Sequence, residues 1–217
     1  GLLTISNFAS KVLVFLLVPL YTSVLSTEEY GIYDLIVSTV SLLYPLLTLN
    51  IVDAVMRFTM DKDVDKKQVA YIGIRYVGIS VLVIAMGLIP CHFLRIFESI
   101  HGLEIMILLY YVSYVMNQYF IQLAKGLEKV SCMAIAGIIG TVVMLGGNIL
   151  FLLVFHWQLK GFMLANILAQ AIPALYFFIK LHFLRFIKDM KLDKGLGKEM
   201  LQYCFPLIFS TIGWWIN

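Results

Sequence analysis

Apolar runs of more than twenty residues alternate with short charged connections along the chain, and this alternation limits the fold more than any single motif does. The runs lie at about 2–25, 30–58, 69–94, 103–124, 130–155 and 161–184, and a further one opens near Leu201 and continues to Asn217. A helix needs ~20 apolar residues to cross the ~30 Å hydrocarbon layer of a bilayer, so each of the first six is long enough. They are too long for core strands and too continuous for the amphipathic helices of a soluble domain. With 61% hydrophobic and 13% charged residues and a mean hydropathy of +0.93, the chain also lies outside the soluble range of ~45–50% apolar and ~25% charged. The expected fold class is all-α integral membrane: a six-helix transmembrane lobe over 1–184, a linker at 185–200 and the start of a seventh helix at 201–217.

Between the first two runs, Ser26-Thr27-Glu28-Glu29-Tyr30-Gly31 turns the chain, with Ser26 or Thr27 placed to cap the next helix and the glutamates in its first turn. The chain does not open on methionine and its last run stops after seventeen residues without a polar flank, so it reads as part of a longer protein. The first run exceeds a secretory h-region and lacks an A-x-A-like cleavage site. Positive residues set the orientation. Alternate connections on one side hold Arg57, Lys62, Lys66, Lys67, Lys125, Lys129, Lys180, Arg185, Lys188, Lys191, Lys194 and Lys198, twelve against only Arg95 and Lys160 on the other. Basic connections face the cytoplasm. The connections at 58–69, 125–129 and 185–200 are therefore placed there with the amino terminus, in a multi-pass protein of the cytoplasmic membrane.

The two remaining cations, Lys11 and Arg75, fall inside apolar runs. Lys11 lies about 14 Å or more from either end of a run spanning roughly 36 Å, too deep for its ammonium to reach a headgroup easily. At that depth a charge costs on the order of 2.5–3.5 kcal/mol on insertion scales, so it turns toward a wet cavity, a partner or a substrate. A lysine bonded to a neighbouring helix's carbonyls is the structural alternative. Uncharged polar residues share helix faces with these cations. Thr4, Asn7 and Lys11 follow i, i+3, i+7 with Ser10 beside them, and Asp34, Ser38, Ser41 and Thr48 form a stripe on the second run. Asp53 and Arg57, four apart, are expected to form an ion pair near the cytoplasmic end. Gln68, Tyr71 and Arg75 share a face of the third run, and Tyr110, Tyr114, Gln118 and Gln122 follow i+4 steps along the fourth, with Asn117 adjacent. Asn148, and Asn166 with Gln170, extend the set. Such residues also bond helices together in membranes at about 0.6 kcal/mol each, a purely structural role. Ala136 with Gly140, and Ala165 with Ala169, are small-xxx-small packing pairs. Pro19, Pro45 and Pro173 are placed to bend their helices.

Catalytic and metal motifs are missing from the sequence pattern. His92, His101, His156 and His182 sit near run ends without a second ligand at metal spacing. Cys91, Cys132 and Cys204 lie far apart and read as small apolar fillers.

At the two ends the chain resembles a known family. Asn7-x-x-Ser10-Lys11, the run from Phe15 through Pro19 to Thr22, Leu25 through Gly31 to Tyr33, and Ala54-Val55-Met56-Arg57 resemble the first two helices of polysaccharide transporters, the Wzx-type O-antigen and lipid-linked oligosaccharide flippases. Tyr203-Cys204-Phe205-Pro206-Leu207-Ile208 and Trp214-Trp215-Ile216-Asn217 resemble the start of that family's seventh helix. The resemblance implies a member of the multidrug/oligosaccharidyl-lipid/polysaccharide exporter superfamily, with two six-helix lobes around a central cavity, of which this chain is the amino-terminal one. It implies transport of a polyprenyl-diphosphate-linked oligosaccharide rather than enzymatic catalysis, by one lobe rocking against the other. The expected partners are the lipid-linked glycan, membrane lipids and glycan-assembly proteins, with no nucleic acid and no cofactor. The residues suit such a substrate: Lys11, Arg75 and Arg57 for the diphosphate, Asn7, Tyr114, Gln118 and Gln122 for the sugars. A cation-coupled multidrug exporter of the same superfamily is one alternative, although a cationic drug favours buried carboxylates. A membrane-embedded glycan polymerase or ligase is another, although it calls for larger outer loops than these.

Overall fold

The computed structural model describes residues 21, 23–94, 101–188 and 192–216. Among them the chain is all helical. The elements are α1 (Thr27–Leu47), α2 (Ile51–Thr59), α3 (Lys66–Leu94), α4 (Glu104–Gly126), α5 (Val130–Asn148), a π-helical turn (Ile149–Val154), α6 (Gln158–Lys180), the short α7 (Phe183–Phe186) and α8 (Lys194–Ile216). Thr27–Leu47, Lys66–Phe93, Val130–Val154 and Gln158–Lys180 are long and apolar enough to cross a membrane. Ser26 takes the capping role at α1: its hydroxyl accepts from Glu29 N–H while the Glu29 carboxylate accepts from Ser26 N–H, a capping box.

The second apolar run, expected as one helix over 30–58, is two. Pro45 removes an amide donor late in α1, and Leu49 and Asn50 then both turn left-handed, at φ 52° and 54°, before α2 starts. Asparagine enters that region more readily than most residues, whereas leucine is strained there. The flanks of the break are buried, Thr48 0% and Asn50 3% exposed, and the Cys204 thiol of α8 donates to Asn50 O at 3.3 Å, while Leu49 itself is 41% exposed. The linker expected at 185–200 is also shorter. The Asp193 carboxylate accepts from Gly195 and Leu196 N–H at 2.8 and 3.1 Å and starts α8 at Lys194.

α4 stands at the centre. Tyr111, Val115, Tyr119, Phe120 and Leu123 on it are at most 1% exposed, and the Tyr119 hydroxyl donates to Ala70 O of α3 at 2.7 Å. Phe183 of α7 packs against Phe120, ring centroids 5.1 Å apart. The expected small-residue packing is present between α5 and α6. A methyl group at Gly140 would lie 3.1 Å from Ala169 O, and one at Gly147 would lie 3.1 Å from Ala165 Cβ. Close backbone approach of this kind is how helices associate without a hydrophobic drive in lipid. Beyond α5 the rings of Phe151 and Trp157 stack at 5.5 Å.

Candidate functional site

α4 has a largely buried face and is also a polar helix. The i+4 ladder Tyr110, Tyr114, Gln118, Gln122 extends over ~18 Å at ~1.5 Å per residue, and α1 and α2 face it. Tyr44 of α1 meets Tyr114 edge-on, ring centroids 5.6 Å apart, and Tyr114 stacks on Tyr110 at 6.1 Å. At the carboxy-terminal end of the ladder, Gln122 Nε2 donates to Asp53 Oδ1 of α2 at 2.7 Å. On the other flank of α4, Asn117 Nδ2 donates to Gln170 Oε1 of α6 at 2.5 Å. Asn117 Oδ1 and Gln122 Oε1 are buried and accept no hydrogen bond among the described residues. Buried amide oxygens are ordinarily satisfied, so these two are spare acceptors on one helix.

The seam between α1–α2 and α4 thus brings together phenols, amides and, among the described residues, one carboxylate. Tyr114, Gln118 and Gln122, expected together from their spacing, do share this wall, and all three are half-buried. Tyr44 was not expected there, because its partner lies seventy positions away and no local pattern links them.

The cations fall elsewhere. The expected Asp53–Arg57 pair is not formed: Asp53 turns inward to Gln122, and Arg57, with 56% of its side chain exposed, reaches Asp61 at 3.9 Å. An exposed pair of that length contributes little, ~0–1 kcal/mol. Arg75 is exposed, with its guanidinium 5.8 Å from the Tyr71 ring centroid, which keeps the expected face of α3. It lines a groove of about 260 Å³ with Tyr76, Asp193, Lys194 and Lys198, between α3 and the start of α8. Arg75 therefore belongs with the basic start of α8 and not to the α4 wall. Lys11 and Asn7 lie outside the described residues. Asn148, 0% exposed, donates from Nδ2 to the Tyr21 hydroxyl at 3.3 Å, and Asn166 donates to Phe162 O at 2.8 Å, so these two act as bonds within and between helices. The histidines, expected without second ligands, are not all isolated: His92, His101 and Glu104 meet at the α3–α4 end of the bundle.

A bundle with four helices apolar enough to span among the described residues, built around a polar central helix, is a multi-pass membrane protein. The chain matches the polysaccharide biosynthesis protein family over residues 1–217 and belongs to that family. No curated protein and no solved structure matches it.

Proposed function

We propose that this chain is the amino-terminal lobe of a two-lobe transporter that turns a polyprenyl-diphosphate-linked oligosaccharide, such as an O-antigen unit, from the cytoplasmic to the outer leaflet. The α4 ladder carries this reading. A helix at the centre of a membrane bundle costs least when apolar, yet this one presents phenols and amides toward α1 and α2, with a spare acceptor at Gln122. Such groups exchange hydrogen bonds with sugar hydroxyls without burying a net charge. Family membership supports the glycan. In this reading Lys11, Arg57 and Arg75 serve the diphosphate, Arg75 from the cytoplasmic groove as a loading position. Asn7, Tyr114, Gln118 and Gln122 serve the sugars. The protein carries its substrate unchanged and needs no cofactor. Its partners are the lipid-linked glycan, the surrounding lipids and the proteins that assemble the glycan.

The test is complementation, by the gene that encodes this chain, of a strain lacking its own translocase. Gln118→Leu combined with Gln122→Leu removes two hydrogen-bonding groups worth ~0.5–1.5 kcal/mol each. Glycan export per folded protein is expected to fall about tenfold, since ~1.4 kcal/mol is a factor of ten. Unchanged export at equal abundance would sink the assignment. A second reading, a cation-coupled exporter of cationic compounds, draws on Asp53, the carboxylate that Gln122 holds on the wall. Loss of drug resistance on Asp53→Asn with no glycan export by the unaltered protein would favour it.

Orientation is tested separately. In a background without Cys91, Cys132 and Cys204, a cysteine at Lys66 is expected to resist a membrane-impermeant thiol reagent applied to intact cells, and one at Lys160 to react. Labelling at Lys66 from outside would invert the topology.

A further inference from the structure

Two histidines and a glutamate from the ends of α3 and α4 converge at one rim of the bundle, the outer rim in the orientation that the basic connections set. His92 Nδ1 lies 3.0 Å from Glu104 Oε1, and the His101 ring stacks on the His92 ring, centroids 5.2 Å apart and 16° between planes. One ligand atom from each of the three lies within 4.8 Å of the others. Glu104 is oriented by Gly102, whose N–H donates to Oε2 at 2.8 Å and leaves Oε1 facing His92. Gly102 has φ +85°, where a side chain is strained, so the turn that anchors the carboxylate depends on glycine.

We propose that His92, His101 and Glu104 form a binding site for a late first-row divalent cation, with zinc the best fit. Two imidazoles and a carboxylate are a donor set that borderline ions accept, and three protein ligands leave a fourth position for water. Bonds of ~2.0–2.2 Å at tetrahedral angles hold neighbouring ligand atoms ~3.4 Å apart. The present separations, 3.0 Å for one pair and under 4.8 Å for all, bracket that value, so small side-chain rotations suffice. The Gly102 N–H is the outer bond that fixes a ligating carboxylate. On binding, the ion takes the place of the hydrogen now between His92 and Glu104. Any proton displaced from the imidazoles goes to solvent, so affinity falls as the pH drops. Magnesium and calcium, which take oxygen ligands, are poor competitors. Bound, the ion ties the end of α3 to the start of α4 above an apolar groove of about 400 Å³ lined by Ile89, Phe93, Ile105 and Leu108.

The test titrates the purified protein, in detergent and without a polyhistidine tag, with zinc chloride against a chromophoric zinc chelator. One zinc per chain is expected, not displaced by a large excess of magnesium. His101→Ala and Glu104→Gln are each expected to weaken binding at least about tenfold, since changes to outer partners alone reach ~10–100-fold. His182→Ala, at a different connection, leaves it unchanged. With copper(II) as a spectroscopic probe, electron paramagnetic resonance of the unaltered chain is expected to show two coordinated nitrogens, and of His101→Ala one. Absence of stoichiometric zinc binding, or equal binding in both ligand variants, overturns the proposal. A copper spectrum of the unaltered chain without nitrogen coordination overturns it whatever the variants do, including any that fail to fold.

Discussion

Gly73→Val is expected to remove most of the folded protein from the membrane, whereas Gly78→Val, five residues further along α3, is expected to leave its abundance unchanged. A methyl group at Gly73 would run into the Val55 side chain of α2 and come within 2.9 Å of the Tyr119 ring of α4. Neither neighbour has room to yield. Val55 and Tyr119 are both 0% exposed, and the Tyr119 hydroxyl is tied to Ala70 O, one turn from Gly73 itself. Overpacking of a filled core costs about 1–3 kcal/mol and sometimes more. Here three helices meet at one point, and valine adds a second branch to the clash, so the upper end of that range applies. At Gly78 nothing lies within 4 Å of an added methyl group. Because both substitutions replace glycine by valine within one helix, propensity effects cancel between them and the difference isolates packing. Fluorescence-detected size exclusion and thermal melting of the two variants read it directly. Equal abundance and equal melting would show that the α2–α3–α4 contact is not the joint described above.

That joint also marks the limit of what the sequence discloses. Long apolar runs are legible because the cost of exposing backbone and charge to lipid acts on every residue of a span, so the signal accumulates over twenty positions. The break between α1 and α2 is local. The run 30–58 keeps its hydropathy straight through Leu49 and Asn50, and only Pro45 hints at the left-handed turn that follows. The start of α8 was hidden for the opposite reason: Asp193, Lys194 and Lys198 read as linker by charge, while Asp193 in fact accepts the first free amides of a helix. The wall shows the same division. The i+4 spacing of Tyr110, Tyr114, Gln118 and Gln122 places them on one face, but spacing on α4 cannot say that Tyr44 and Asp53 stand opposite. Asp53 and Arg57 satisfy the i, i+4 rule, and so do Arg57 and Asp61. Burial decided between them, because Asp53 had an amide within the bundle and Arg57 had water. His92, His101 and Glu104 were invisible for a related reason, since they meet only once α3 and α4 are packed side by side.

Lys11→Gln is expected to abolish most glycan export while the protein reaches the membrane at normal abundance. Glutamine keeps much of the lysine's length and loses its charge, so it tests the ammonium and not the packing. The argument is energetic. A lone ammonium mid-run is opposed by on the order of 2.5–3.5 kcal/mol at insertion, and no acidic residue shares its run to offset that cost. A purely structural lysine would repay it by holding helices together, and then its removal lowers folded protein first. A lysine that meets a diphosphate makes a charge-assisted hydrogen bond worth ~1.5–3 kcal/mol, and its loss appears as a fall in export of about ten- to a hundredfold at ~1.4 kcal/mol per factor of ten. Lys11→Arg separates charge from shape. For a point-charge contact it retains part of the activity, because the positive charge remains although guanidinium geometry differs from that of ammonium. The measurement is surface glycan per folded protein in the complemented strain, for the unaltered chain and both variants side by side. Normal export by Lys11→Gln at equal abundance removes this lysine from the substrate path. A drop in abundance that accounts for all the lost export assigns it to the structure instead.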